Sequence, residues 1–151
     1  MIKQSAGLLV YRDTGDGVEI FLVHPGGPFN TKKDEGVWSI PKGEFDDGED
    51  SLTAARREFE EETSFKIAGD FFELKAVKQK GGKIVHAWAV EADVDADAVK
   101  SNTFEMEWPP KSGKMSEFPE VDGAAWFSIK TAKLKINPAQ AALIDELMSR
   151  I

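Results

Sequence analysis

The sequence predicts a domain of the α/β class, with strands and helices in one chain. Two observations carry this prediction: four apolar, partly β-branched runs have the composition of strands, and two stretches repeat apolar residues at helical spacing. The chain has 151 residues, about the length of one domain, and we find no internal repeat or low-complexity linker. We therefore expect a single domain over residues 1–151.

The composition excludes several classes of function. The formal charge is −8 and no basic stripe balances the acids, which argues against nucleic-acid partners and against binding to anionic membranes. The chain has no cysteine, so disulfides and thiolate chemistry are excluded. The first residues have too short an apolar run for a signal peptide or a membrane span. We expect a soluble protein in the reducing environment of the cytoplasm.

The first predicted elements form a β-hairpin. Residues 4–11 and 18–23 are strand-like runs, and the RDTGDG sequence between them is rich in turn formers. A loop rich in glycine and proline follows, and residues 38–42 are then extended, because the residue before Pro41 avoids helix. His24 lies next to a proline at the end of the second strand, and we interpret it as a boundary residue.

The most acidic stretch spans residues 43–65 and predicts a helix in its second half. A third of the 27 carboxylates of the chain lie between residues 44 and 62. Asp50 or Ser51 can cap the helix, and apolar positions then recur at helical spacing. These positions are Leu52, Ala55, Phe59 and Thr63.

Three carboxylates project together beside this apolar stripe. Glu58, Glu61 and Glu62 fall within an arc of about 100° on the helix. Carboxylate oxygens are preferred ligands of Mg²⁺, so the spacing indicates a site for one or two divalent ions. Arg57 is placed to orient a carboxylate or to pair with an acid of the preceding loop. The alternative is a solvated acidic helix face without a ligand.

The spacing within this stretch resembles the signature of the Nudix hydrolases. In that signature a glycine, five residues, a glutamate and seven residues precede the run Arg-Glu-apolar-x-Glu-Glu-x-Gly-apolar. Ser64 is the one departure, since the family has glycine there. A left-handed conformation is usual after a helix and costs a residue with a Cβ about 1 kcal/mol. The matching positions are Gly43, Glu49, Arg57, Glu58, Phe59, Glu61, Glu62 and Phe65.

The resemblance implies a three-layer α/β/α sandwich around a mixed β-sheet, and hydrolysis of a nucleoside diphosphate linked to another group. It also implies Mg²⁺, with Mn²⁺ as an alternative, held by Glu58, Glu61, Glu62 and the Gly43 carbonyl. The residue chemistry agrees, because carboxylates repel an anionic pyrophosphate unless divalent ions lie between them and lower the pKa of bound water.

The attacking water also needs a proton acceptor. In the family, an acid on a loop shortly before the last strand reaches back to the metals, which indicates Glu120, with Glu117 as its nearest competitor. Glu58, Glu61 and Glu120 are all candidates for the base. We predict these three and Arg57 as the catalytic residues, and Glu49 as a partner of Arg57 or of the ion shell.

Substrate contacts are predicted on both sides of the acidic helix. Residues 71–80 and 83–91 are strand-like and are joined by a Gly-Gly turn. Lys42 and Lys83 are candidate phosphate contacts. His86 is either a packed strand residue or part of a base or phosphate pocket. The lead-in WSIPKGE is similar to that of many Nudix enzymes, especially those that act on dinucleoside polyphosphates.

The remaining segments are an irregular region and a final helix. Residues 94–122 predict a long loop whose aromatic residues Phe104, Trp108 and Phe118 either stack on a nucleobase or pack under the loop. Asn137 and Pro138 predict the start of a helix that ends near residue 148, with apolar residues toward the core. These core residues are Ala141, Leu143, Ile144 and Leu147.

The expected substrate is a nucleoside triphosphate or a dinucleoside polyphosphate. Many ADP-ribose hydrolases have a proline where this chain has Lys80. Many dinucleoside polyphosphate hydrolases have a tyrosine in the span that Gly81, Gly82 and Lys83 occupy here. ADP-ribose, nucleotide sugars and inositol pyrophosphates stay open as substrates. Two other classes of protein are alternatives: a non-catalytic nucleotide-sensing module with the same fold, and an acidic interaction domain. Many relatives form dimers, so a homodimer is also an expectation.

Overall fold

A computed structural model describes residues 2–151 of the chain, and Met1, where the predicted domain begins, lies outside the described residues. Strands dominate the first two thirds of the chain and helices its end. In residues 2–151 the strands are β1 (Gln4–Asp13), β2 (Val18–Pro25), β3 (Lys42–Glu44), β4 (Phe72–Glu73), β5 (Val77–Lys78), β6 (Ile84–Glu91), β7 (Thr103–Glu107), β8 (Met115–Pro119) and β9 (Val121–Ser128). The α-helices there are α1 (Ser51–Thr63), α2 (Ile129–Lys135) and α3 (Ala141–Arg150).

Seven of these strands form one mixed sheet with β1 near its centre. The main path is β4-β6-β1-β2-β9, and β3 and β5 pair with β1 and β6 respectively. Strand β1 is parallel to β6 and antiparallel to β2 and β3. The predicted hairpin of β1 and β2 is confirmed, with each strand two residues longer than predicted.

The alternation of apolar side chains along the central strands produces two separate cores. Leu9 and Ile20 belong to one core, which the residues of α2 and α3 complete. Leu8 and Phe21 belong to the other, which includes the buried face of α1. Because successive strand residues point to opposite faces, helices cover both sides of the sheet. The predicted α/β/α sandwich with a mixed sheet is therefore confirmed.

Helix α1 begins and ends at residues that satisfy its free backbone groups. The Asp50 carboxylate accepts a hydrogen bond of 3.1 Å from the Thr53 backbone N–H, which confirms the predicted N-cap. Ser64 ends the helix in the left-handed conformation, with φ of 68°. Its hydroxyl donates to the Lys100 carbonyl at 2.6 Å, which offsets part of the cost of that conformation.

Two predicted segments differ from the structure. The single strand predicted over residues 71–80 is interrupted, because the Lys75 backbone N–H donates to the Glu146 side chain at 2.7 Å rather than to a neighbouring strand. The predicted irregular region 94–122 contains the hairpin of β7 and β8, a separate two-stranded sheet. Exposed glutamates alternate there with half-buried apolar residues, which is a strand pattern that the neighbouring prolines and glycines obscure.

The C-terminal segment contains one helix more than predicted. Asn137 is the predicted cap, but it caps a short 3-10 turn, Pro138–Gln140, and α3 starts only at Ala141. Helix α2 was not predicted. Ser128 caps it by accepting a hydrogen bond from the Thr131 backbone N–H. Among residues 2–151, no helix is long and apolar enough to cross a membrane.

Candidate active site

A cavity of about 430 Å³ lies where β1, β3 and α1 meet, and it gathers most of the predicted site residues. Acidic side chains of α1 form one wall, and residues from β3, from the start of β6 and from the segment before β9 complete it. The predicted site residues that line the cavity are Lys42, Gly43, Glu58, Glu61, Glu62, Lys83 and Glu120.

Gly43 permits a very close approach between β3 and α1. A Cβ built on Gly43 would lie 2.0 Å from Oε2 of Glu58, closer than any real contact. Pairing with Ala6 of β1 fixes the backbone of Gly43, so the residue cannot shift away freely. Any larger residue at this position would displace the Glu58 carboxylate, because the backbone of β3 lies directly against it.

Arg57 connects the acidic loop before α1 to the carboxylates of the helix. Its Nη2 and Nε atoms lie 2.9 and 3.0 Å from the two carboxylate oxygens of Glu49. Its Nη1 atom donates to Glu58 at 2.9 Å and to Glu61 at 3.2 Å. The predicted pairing of Arg57 with Glu49 is confirmed. These bonds lower the pKa of Glu49 and raise the pKa of Arg57 further above its usual value.

The carboxylates in the cavity are crowded and partly desolvated. Burial, followed by the charge of Glu58, raises the pKa of Glu62 to about 8. Burial and the charge of Glu61 also raise the pKa of Glu58. Burial lowers the pKa of Lys42, and the nearby charge of Lys83 acts in the same direction. The cavity thus holds more negative charge than its own cations neutralise.

These donors fit a hard divalent cation. Within residues 2–151, no three side chains of His, Asp or Glu are close enough together to coordinate one metal ion. Oxygens of Glu58 and Glu61 are instead paired with Arg57. The carboxylates nevertheless line one cavity together with Gly43. Burial, and then the negative charge of Glu58, raise the pKa of Glu62, and a bound cation would oppose both effects. Oxygen donors of this kind suit Mg²⁺ or Mn²⁺.

Glu120 is held at the opposite side of the cavity by its backbone. Its N–H donates to the Asn102 carbonyl, and its carbonyl accepts from the Gly26 N–H, both at 2.9 Å. The charge of Glu120 contributes to the raised pKa of Glu62, so the two carboxylates are near each other. Glu117, the competing candidate, lies on an exposed position of β8 and does not line the cavity.

Three predicted substrate contacts lie outside this cavity. The His86 Nε2 atom is hydrogen-bonded to the Gln4 side-chain oxygen at 2.7 Å. Phe104 packs against Phe118 within the hairpin of β7 and β8, with ring centroids 6.0 Å apart. Trp108 contacts Phe29 edge to face. None of the three predicted contacts is among the residues that line the cavity.

The cavity also contains polar residues that were not predicted. Ser5, Ser39 and Asn102 line it. The Ser5 hydroxyl is buried and has no hydrogen-bond partner within the described part of the chain. The sequence does carry a signal for Ser5, because a polar serine stands inside the apolar run of β1. No local pattern marks Ser39. Its position depends on the distant, buried Gln140, whose Nε2 atom donates a hydrogen bond to the Ser39 hydroxyl at 3.0 Å.

Comparison with solved structures identifies proteins that share this fold. The structure resembles that of a C. elegans Ap4A hydrolase in a binary complex, with a TM-score of 0.67 and 22% identity. The alignment covers 98% of this chain and 96% of the hydrolase chain. The NUDIX domain of Shewanella oneidensis NrtR, complexed with ADP ribose, has a TM-score of 0.69 at 14% identity and covers 99% of this chain and 88% of that chain. At these identities the likeness concerns the fold alone.

Sequence comparison adds one curated relative and a family. The relative is Nudix hydrolase 7 of Arabidopsis thaliana, which is 47% identical over 47 residues. That match covers 31% of this chain and 16% of the length of the relative. The family model described as NUDIX domain matches residues 1–147, nearly the whole chain. On this match, and with the acidic helix and its glycine arranged as described, the chain belongs to the NUDIX domain family.

Proposed function

We propose that this protein is a pyrophosphohydrolase that requires a divalent cation and acts on a nucleoside diphosphate linked to another group. One observation carries the proposal: Gly43, Glu58, Glu61 and Glu62 of the family signature line a single cavity, and Glu120 lies in the same cavity. A carboxylate cluster of this kind repels an anionic substrate unless cations lie between them. The arrangement therefore supports hydrolysis of a pyrophosphate bond better than binding to an acidic surface.

Residues of α1 and β3 form the proposed cation site. Glu58, Glu61, Glu62 and the Gly43 carbonyl would hold Mg²⁺ or Mn²⁺, which neutralises phosphate oxygens and makes a water molecule more acidic. Arg57 fixes the carboxylates of Glu58 and Glu61 through its hydrogen bonds to both. Lys42 and Lys83 also line the cavity and supply positive charge that phosphate oxygens of the substrate would contact.

Glu120 is the residue best placed to accept the proton of the attacking water. Its side chain is exposed and forms no ion pair or side-chain hydrogen bond within residues 2–151, so its carboxylate oxygens are free. Glu58 and Glu61, the other candidates, already accept hydrogen bonds from Arg57. These bonds occupy oxygens of both carboxylates, whereas the oxygens of Glu120 are available to accept a proton. This difference favours Glu120 over Glu58 and Glu61.

The proposed substrate is a small molecule, either a nucleoside triphosphate or a dinucleoside polyphosphate. The proposed location of the enzyme is the cytoplasm. The lead-in sequence WSIPKGE supports this choice, as does the likeness to a structure named an Ap4A hydrolase. ADP-ribose is the second candidate, because another similar fold was solved with ADP ribose bound. Light scattering would test the further expectation of a homodimer.

A substrate panel tests the proposal. Phosphate release would be measured for a nucleoside triphosphate, a dinucleoside tetraphosphate, ADP-ribose and a nucleotide sugar, each with Mg²⁺, with Mn²⁺ and with a chelator. We expect turnover of the first two substrates that disappears with the chelator and returns when the metal is restored. Nucleotide binding without turnover would instead identify a sensing module. If the protein neither binds nor turns over any of these nucleotides, the remaining interpretation is an acidic interaction domain.

A further inference from the structure

A second cavity, of about 510 Å³, adjoins the site described above and is lined by lysines. Lys83 lines both cavities, so the two spaces meet at its side chain. Three more lysines, Lys3, Lys78 and Lys80, line the second cavity together with the Gly81-Gly82 turn. We call these four lysines and the turn the lysine cavity.

The sheet itself brings these lysines together from two distant parts of the sequence. Ile84 of β6 lies between Gln4 of β1 and Lys78 of β5, which are its partners on either side. The Ile84 N–H donates to the Lys3 carbonyl at 3.0 Å, which fixes Lys3 beside the start of β6. Lys78 on β5, and Lys3 and Lys83 just before β1 and β6, are therefore held at one end of the sheet by backbone pairing.

The turn between β5 and β6 supports the same arrangement. Gly81 and Gly82 both have φ of 90°, a conformation that residues with a side chain rarely adopt. The Gln79 N–H donates to the Lys83 carbonyl at 2.8 Å and closes the turn. A tight turn without side chains leaves open space between the flanking lysines, and this space forms part of the cavity.

The positive charge in the lysine cavity is not neutralised by the protein. Lys3, Lys78 and Lys80 form no ion pair with any other residue of the described range 2–151. Lys83 is paired with the Glu44 carboxylate at 3.9 Å. The chain as a whole has a net charge of −8, so acids are abundant elsewhere. Ammonium groups gathered without counter-charges repel one another, and an anionic ligand removes that repulsion.

Ser5 provides an independent indication that a ligand crosses from one cavity to the other. Its hydroxyl is buried in the first cavity without a hydrogen-bond partner in residues 2–151. A buried hydroxyl without a partner costs free energy unless a ligand or water supplies the missing bond. Ser5 lies in register with Val85, two residues beyond Lys83 along β6. Ser5 thus lines the first cavity at a sheet position close to Lys83.

We propose that the lysine cavity binds the phosphate groups of the substrate that lie beyond the scissile pyrophosphate, with Lys83 and Ser5 at the passage between the two cavities. The inference rests on the proposed hydrolase function and specifies its substrate. A chain of four or more phosphates reaches the lysine cavity, whereas a triphosphate occupies chiefly the first cavity. The lysine cavity therefore sets a preference for longer polyphosphate chains.

The test compares two nucleotides that differ by one phosphate, adenosine tetraphosphate and adenosine triphosphate. The variant Lys3→Gln/Lys78→Gln/Lys80→Gln removes three charges from the lysine cavity. A matched control removes three exposed charges that line neither cavity, at Lys32, Lys75 and Lys130. We expect the first variant to raise KM for the tetraphosphate about tenfold, with kcat unchanged, if each charge contributes modestly. KM for the triphosphate should change less than twofold in either variant.

Binding of inorganic tripolyphosphate, measured by calorimetry on the same proteins, separates this inference from the proposed function. If the wild-type protein turns over nucleotides but both variants have the same KM for the tetraphosphate, the inference is overturned and the hydrolase proposal stands. If no nucleotide is turned over, the hydrolase proposal fails. In that case, about tenfold weaker tripolyphosphate binding by the lysine variant than by the control still supports an anion site. Equal binding overturns it.

Discussion

The guanidinium of Arg57 holds both carboxylate oxygens of Glu49, at 2.9 and 3.0 Å, and so fixes the loop before α1 to the helix that carries the acids of the cavity. The third nitrogen of the same group reaches Glu58 and Glu61. Planar pairing of this kind sets direction as well as distance. One side chain outside the cavity therefore orients two carboxylates within it.

This relationship predicts the effect of changing Arg57. Arg57→Lys keeps the positive charge but cannot make two parallel bonds to Glu49 while reaching Glu58. We expect metal affinity to fall by about 10- to 100-fold, because residues that orient metal ligands typically have effects of that size. Titration with Mn²⁺, followed by electron paramagnetic resonance, measures the affinity. Wild-type Mn²⁺ affinity in Arg57→Lys would show that the orientation of the carboxylates does not matter.

The acids of α1 should differ sharply in their importance for turnover. Glu61→Gln and Glu62→Gln each remove a proposed cation ligand from the cavity, and we expect kcat/KM with Mg²⁺ to fall at least about a hundredfold. Glu60→Gln is the matched control on the same helix, since Glu60 is exposed and does not line the cavity. Thermal unfolding should show that all three variants fold. Similar turnover in Glu60→Gln and Glu62→Gln would contradict the assignment.

Ser64 allows a test of the backbone at the end of α1. Ser64→Gly removes the cost of the left-handed conformation, about 1 kcal/mol, but also loses the bond to the Lys100 carbonyl, of similar size. Ser64→Ala loses that bond and keeps the cost. We therefore expect the free energy of unfolding of Ser64→Ala to be about 1 kcal/mol below that of Ser64→Gly. Urea denaturation measures both values, and equal stabilities would argue against the left-handed cap.

The capping carboxylate of Asp50 should make stability depend on pH. Hydrogen bonds from the Thr53 hydroxyl and backbone N–H hold the pKa of Asp50 below its usual value of 3.8. Because the folded-state pKa is lowered, the stabilisation is present above pH 3.8 and is lost as the pH falls through the folded-state value. Asp50→Asn removes the titrating charge and keeps an acceptor oxygen. The stability difference between wild type and Asp50→Asn should thus shrink between neutral pH and pH 2, and a constant difference would contradict the prediction.

The acidic helix was predictable from the sequence because its signals are local. The spacing of Leu52, Ala55 and Phe59 marks the buried face of α1, and the same periodicity places its glutamates on one flank. The departure at Ser64 also had a local meaning, and the structure keeps the left-handed conformation there. Patterns within one element therefore carried most of the candidate site.

Other parts of the site depend on contacts between distant residues. The buried hydroxyl of Ser5 and the position of Ser39 against Gln140 follow from packing that no local pattern encodes. The aromatic residues Phe104 and Trp108 were expected near the substrate, but the hairpin that carries them pairs with itself and was hidden by its proline- and glycine-rich surroundings. A local sequence pattern does not show which strands pair with one another in the folded protein.

The parallel pairing of β1 with β6 has a consequence for the order of folding. It joins Gln4 to Ile84, which are separated by more than half of the length of the chain, and loop closure over such a distance is slow compared with forming a local helix. Ser5, Gly43 and Lys83 meet only after that closure. A chain without that pairing lacks the complete recognition surface, so nucleotides or cations that bind there stabilise the folded molecule against unfolding.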